Sequence, residues 1–178
     1  MQLQNYYYWF KDAIPHHVCD DIVRYAKSIQ DQMAVTGGLG NRKLNKKEVT
    51  DLKKKRDSDI IWLNERWIYN AIHPYIHAAN RDANWNFQWD FSESCQFTKY
   101  KKGQYYDWHC DSWDKPYDSP NTPSHGKTRK LSVTLSLSND KDYSGGELEF
   151  DMRNMDPDKK TNTHVLKEIR SKGSLVVF

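Results

Sequence analysis

Lys130-Leu-Ser-Val-Thr-Leu-Ser-Leu-Ser138 alternates apolar and polar residues. Side chains at i and i+2 of a strand share a face, so Leu131, Val133, Leu135 and Leu137 make one apolar row. Working outward, further short strand-like runs lie at 85–91, 93–100, 104–110, 146–151, 164–170 and 174–178, separated by turn signals. Many short strands of this kind predict a sandwich or jelly roll. Upstream, residues 3–10 suit a strand. Val18, Ile22, Tyr25, Ala26, Ile29 and Met33 then fall at helical spacing, as do Trp67, Ile68, Ala71, Ile72, Tyr75, Ile76 and Ala79 in a second helix over 64–80. Pro74 lies inside that second pattern and is expected to kink it. Helices first and strands later give an α+β class, with the N-terminal helices packed on one face of a β-core.

The chain has 178 residues, enough for a single domain with a substantial core. No apolar run approaches the length of a membrane span. The start, Met-Gln-Leu-Gln-Asn-Tyr-Tyr-Tyr-Trp-Phe, carries no basic region or small-residue cleavage site, so no secretory signal is read. Cys19, Cys95 and Cys110 match neither a zinc site nor a disulfide framework, and a reducing cytoplasm is expected. Residues 42–56 hold eight basic and two acidic residues, a local +6, which leaves −3 for the rest of a chain whose total is +3. No aromatic residue interleaves this run as nucleic-acid stacking would require, so a solvated, mobile surface loop is favoured over a nucleic-acid partner.

Tyr100-Lys-Lys-Gly-Gln-Tyr-Tyr-Asp-Trp-His109-Cys-Asp111 places a histidine and an aspartate two residues apart. Read as a strand, it turns both side chains to one face, where they supply two of the three ligands of a two-His-one-carboxylate iron centre. Cys110, facing the other way, is expected to pack. Trp108 is expected in the core, and Trp113 either there or in a substrate groove. Residues 112–129, with three prolines and no apolar period, form a long loop after the metal motif and a candidate lid. His73 and His77 are four apart on the second helix, but their place beside the apolar stripe favours a structural or surface role.

These residues resemble a known family. Tyr100, Gly103, His109 and Asp111, followed by Leu131–Leu137 and by Tyr143-Ser-Gly-Gly-Glu-Leu-Glu-Phe150, look like a 2-oxoglutarate- and Fe(II)-dependent dioxygenase of the prolyl 4-hydroxylase-like (PKHD-type) branch. Phe10-Lys-Asp-Ala-Ile-Pro15 and Arg56-Asp-Ser-Asp-Ile-Ile-Trp-Leu63 fit the same likeness. The resemblance implies a double-stranded β-helix, or jelly-roll, with Fe(II) held by His109 and Asp111. It implies 2-oxoglutarate contacted by the Tyr100 hydroxyl, with Leu135 as a wall of its pocket, and ascorbate as an auxiliary cofactor. Gly145-Gly146 is expected to form a tight bend. The implied reaction uses O₂, converts 2-oxoglutarate to succinate and CO₂, and hydroxylates a C–H bond of a peptide, protein or small-molecule substrate, with peptidyl proline first among these.

In this family the distal histidine and the basic residue for the cosubstrate follow the strand that reads Gly173-Ser-Leu-Val-Val-Phe178 here. Both are therefore expected in a C-terminal segment beyond Phe178. His164, with Lys172 as a basic partner, and His125 are the internal substitutes, each disfavoured by its context. The competing readings are a catalytically incompetent jelly-roll fragment or binding module with an incomplete metal triad, and a cupin-like site for another divalent ion.

Overall fold

The computed structural model describes residues 5–29, 32–33, 45–152 and 162–178. Two structural units make up the chain. Met1–Val23, Trp67–Gln88 and Lys130–Phe178 form the first, and Arg24–Arg66 with Trp89–Arg129 form the second.

The first unit is built on a three-stranded antiparallel sheet. β1 (Tyr8–Phe10) and β7 (Val133–Leu135) flank β10 (Leu175–Val177). Leu175 opposes both Phe10 and Leu135 in register. All three residues of β10 are fully buried, which explains why it reads as a continuous apolar run while its neighbour β7 alternates. Ser132 and Phe178 exchange two backbone hydrogen bonds and lengthen the β7–β10 pair beyond its formal ends. A second pair joins β8 (Glu149–Asp151) to β9 (Thr163–Val165). Leu166, Ile169 and Val176 form a small core, closed by Tyr7, Leu148, Phe150 and Phe178.

The expected strand 164–170 is only half correct, because Lys167–Arg170 is a 3-10 turn. Buried Leu166 and Ile169 are three residues apart, and that spacing suits a three-residue turn. The expected strand 85–91 does not form. Asn84 and Asn86 take positive φ, and the Asn80 side chain bonds both the N–H and the C=O of Phe87. Local asparagine bonding holds this stretch as a turn. The expected bend at Gly145-Gly146 is found, with φ of +77° and +67°.

Helix α1 (His16–Lys27) buries Cys19, Ile22 and Ala26, at helical spacing. Ile29 follows its end, and Met33 belongs to β2 (Gln32–Met33), so neither extends the helical stripe. Helix α3 (Arg66–Asp82) contains Pro74 and buries Ile68, Ile76 and Ala79. No helix among the described residues is long and apolar enough to cross a membrane.

In the second unit, β4 (Asp59–Leu63) pairs with β2 and with β5 (Cys95–Lys99), and β3 (Arg56–Asp57) pairs with β6 (Tyr105–Tyr106). The basic run is not a loop throughout. Lys46–Lys53 form helix α2, started by a capping box in which the Asn45 side chain accepts from Glu48 N (2.9 Å) and Asn45 N donates to the Glu48 carboxylate (2.8 Å). Residues 42–44 of that run lie outside the described residues. The α+β class stands. The strands, however, form two three-stranded and two two-stranded sheets, with no closed barrel among the described residues.

Candidate metal centre

His109 and Asp111 both lie in the second unit and come together, though not by strand alternation. β6 ends at Tyr106, and residues 107–111 leave it as an irregular bend. The bend is held by Asp107 N donating to Lys55 O (2.8 Å) and by Trp108 N donating to the Asp107 carboxylate (2.8 Å). His109 Nδ1 lies 2.7 Å from the carbonyl oxygen of Asp107. A carbonyl only accepts, so Nδ1 carries the proton and donates it. In the neutral ring, Nε2 then presents a lone pair.

That Nε2 lies 3.2 Å from Asp111 Oδ1. Two lone pairs at this distance repel unless a proton or a cation lies between them. Two cis ligand atoms at about 2.1 Å from one octahedral ion sit about 3.0 Å apart. The pair therefore fits two adjacent positions on a divalent metal, with the histidine tautomer fixed by its backbone partner. Among the described residues no third His, Cys, Asp or Glu joins them.

The surroundings hold this pair from two sides. Arg129 forks onto Glu93 (2.5 and 3.2 Å) and donates a third bond to the Asp111 carbonyl (2.7 Å), while Ser112 Oγ donates to the Arg129 carbonyl (2.9 Å). Burial works against the Arg129 charge, but Glu93 outweighs it and raises the guanidinium above its ordinary value. On the other side, the Tyr106 ring stacks on the His109 imidazole, with centroids 3.6 Å apart and planes 14° from parallel. The Arg56 guanidinium carbon lies 4.3 Å from the centroid of the same Tyr106 ring.

Tyr100 follows β5. Half its surface is exposed, while its hydroxyl faces Arg56 and Ser58. Burial raises its phenol above the ordinary value, and Arg56 opposes that shift. Burial raises Tyr106 as well, again against Arg56, with Asp111 adding to the rise. Leu135 sits on β7 in the first unit, part-buried opposite Leu175.

Several expectations are corrected here. Trp108 is 56% exposed, so it is no core residue, and Trp113 is equally exposed. Cys110 is exposed instead of packed, because the strand that would have turned it inward has already ended. His164 is occupied elsewhere: its Nε2 lies 3.0 Å from the Tyr7 hydroxyl, in the first unit. Lys172, its suggested basic partner, is buried and paired with Asp20. His125 is exposed on the 112–129 loop. That loop is tied down by Tyr117–Lys127 and Gly126–Tyr117 backbone bonds (both 2.9 Å), by the Tyr117 hydroxyl on Glu93 (2.8 Å) and by Lys127 on Asp90 (2.6 Å). Reading the sequence assigns no role to Arg56, Tyr106, Glu93 or Arg129, although Arg56 and Tyr106 lie within the stretches that carry the resemblance. Composition counts Arg56 with the charge run. The signal for it is the alternation Arg56, Ser58, Ile60, three buried residues on one face of an extended segment.

Residues 95–178 match the family model of the 2OG-Fe(II) oxygenase superfamily, a stretch that contains Tyr100, His109, Asp111 and Leu135. The matched stretch, just under half of the chain, is similar to 2-oxoglutarate- and Fe(II)-dependent oxygenases. Among solved structures, the chain is similar to the viral collagen prolyl hydroxylase of Paramecium Bursaria Chlorella virus-1, solved as a 2OG complex. The TM-score is 0.61 at 18% identity, over 98% of this chain and 77% of that one. The resemblance to 2-oxoglutarate- and Fe(II)-dependent dioxygenases is thus met again over residues 95–178, and the solved structure shares the fold. No curated protein matches the chain.

Proposed function

We propose that residues 1–178 are a single oxygenase domain of jelly-roll type that uses Fe(II), 2-oxoglutarate and O₂ to hydroxylate a C–H bond, with peptidyl proline as the first substrate class. One observation carries the reading. The stretch that matches the family holds His109 Nε2 and Asp111 Oδ1 3.2 Å apart, in the tautomer and at the spacing that a divalent cation requires.

In this reading His109 and Asp111 hold the metal and Tyr100 binds 2-oxoglutarate through its hydroxyl, all three within the second unit. Bound Fe(II) and 2-oxoglutarate supply the oxidising chemistry, with ascorbate as an auxiliary reductant. The chain's own work is positional. The Asp107 carbonyl keeps the Nδ1 proton in place and leaves Nε2 free to ligate. Arg129 anchors the backbone of Asp111 to Glu93. Exposed Trp108 and Trp113 offer flat apolar surface beside the ligands, suited to a proline ring or a similar group. The alternative is a binding module with an incomplete metal set. It is favoured by the absence, among the described residues, of a third ligating side chain.

The test is succinate release from 2-oxoglutarate by the purified chain, with and without Fe(II), and again with proline-containing peptides. Fe(II)-dependent release that Asp111→Ala abolishes supports the reading. Release unaffected by Asp111→Ala overturns the site assignment, and no release at all favours the binding module.

A further inference from the structure

Arg56 is 5% exposed, yet among the described residues no carboxylate pairs with it. Its guanidinium is held by neutral groups: Ser58 Oγ accepts from Nε (3.0 Å), Gln96 Oε1 (3.2 Å) and Thr98 Oγ1 (3.5 Å) accept from the two terminal nitrogens, and the Tyr100 hydroxyl faces it. A buried, unpaired cation is costly to keep for packing alone. What it gains is the Tyr106 ring, its register partner across β3 and β6, at 4.3 Å. The His109 imidazole covers that ring at 3.6 Å, nearly parallel. A second group cannot stack at 4.3 Å on a face already covered at 3.6 Å. Guanidinium and imidazole therefore sit on opposite faces, with Tyr106 between them.

We infer that Arg56 is a positioning residue for the metal ligand His109, acting through Tyr106. Its hydrogen bonds to β5 side chains fix the guanidinium plane. The cation–π contact fixes the Tyr106 ring, and the ring sets the rotation of the imidazole about its side-chain bonds. The Asp107 carbonyl supplies the second constraint, so Nε2 is aimed at the Asp111 carboxylate before any metal arrives. This inference rests on the metal reading above, and the experiment separates the two.

The whole metal-free chain, labelled at histidine, is examined by NMR, with the His109 ring signals assigned by their loss in His109→Ala. Stacking on Tyr106 should shift those signals upfield. Arg56→Gln should return them most of the way to ordinary histidine positions, Tyr106→Leu should abolish the shift, and Arg56→Lys, which keeps a cation under the ring, should lie between. Mn(II) affinity of the same proteins should fall by about tenfold in Arg56→Gln, the usual effect of losing an outer partner of a ligand, and recover partly in Arg56→Lys. Thermal unfolding of each variant distinguishes a loosened ligand from a lost fold, and Arg56→Lys and Tyr106→Leu stand if Arg56→Gln does not fold.

An unshifted His109 signal in the wild type, or an upfield shift and Mn(II) affinity unchanged in Arg56→Gln, overturns the positioning role. Mn(II) binding that His109→Ala leaves intact overturns the metal reading, and the positioning of a ligand with it, even where the ring shift shows that the stack exists.

Discussion

Gly173 takes φ of +86°, and a Cβ built there would lie 2.2 Å from the carbonyl oxygen of Ile14. Real Cβ atoms essentially never come closer than 3.0 Å to such an atom, so Gly173→Ala forces a backbone displacement of at least 0.8 Å. The same two residues share a hydrogen bond, Ile14 N to Gly173 O at 2.9 Å, and both are buried, so the displacement strains or breaks it. A left-handed backbone costs an L-residue about 1–2 kcal/mol. A buried group left without its hydrogen bond adds about 1–3 kcal/mol. Gly173→Ala should therefore cost about 2–5 kcal/mol. Gly146 in the same unit is the control, with φ of +67° and nothing nearer than 3.8 Å, so Gly146→Ala should cost only the conformational share, about 1–2 kcal/mol. The assay is urea unfolding of both variants beside the wild type, followed by near-ultraviolet circular dichroism. If the two variants lie within about 1 kcal/mol of each other, the clash drawn here is not a constraint on the fold.

Tyr100→Phe should raise the 2-oxoglutarate concentration needed for half-maximal turnover while leaving Mn(II) affinity unchanged. An unaltered requirement removes Tyr100 from the cosubstrate site. His73, held below its ordinary value by burial and then by His77, makes stability depend on pH on the acid side. Its folded form resists protonation, so as pH falls below about 6.5 the unfolded chain takes up the proton first and stability drops. His73→Gln should flatten that part of a stability profile, and a profile of unchanged slope would show that another group sets it.

Much of this fold is legible in the sequence because the signals are periodic. The apolar stripe of 64–80 is α3 displaced by two residues, and the Leu131–Leu137 alternation and Leu175–Val177 run are the paired strands β7 and β10. What escapes is local chemistry that overrides pattern. Two asparagines with positive φ turn an apolar-looking strand at 85–91 into a bend. Asn45 and Glu48, three residues apart, start a helix inside what composition marks as a charged loop, and that capping signal is present in the sequence. At the site, the identities His109 and Asp111 are readable but the geometry is not. Their convergence depends on the Asp107 carbonyl and on Tyr106, neither of which strand alternation involves. Arg56 is the hardest residue of all. Its charge counts it with the exposed lysines, and what sets it apart is its alternation with buried Ser58 and Ile60.

The central claim is that His109 and Asp111 form one metal-binding site for the cosubstrate. Its most direct test is an anaerobic titration of the chain with Fe(II) and 2-oxoglutarate, watching the visible charge-transfer band of 2-oxoglutarate chelated to ferrous iron. The account predicts a band in the wild type that is lost in His109→Ala and in Asp111→Ala. No band in the wild type, or one that both variants retain, would contradict it.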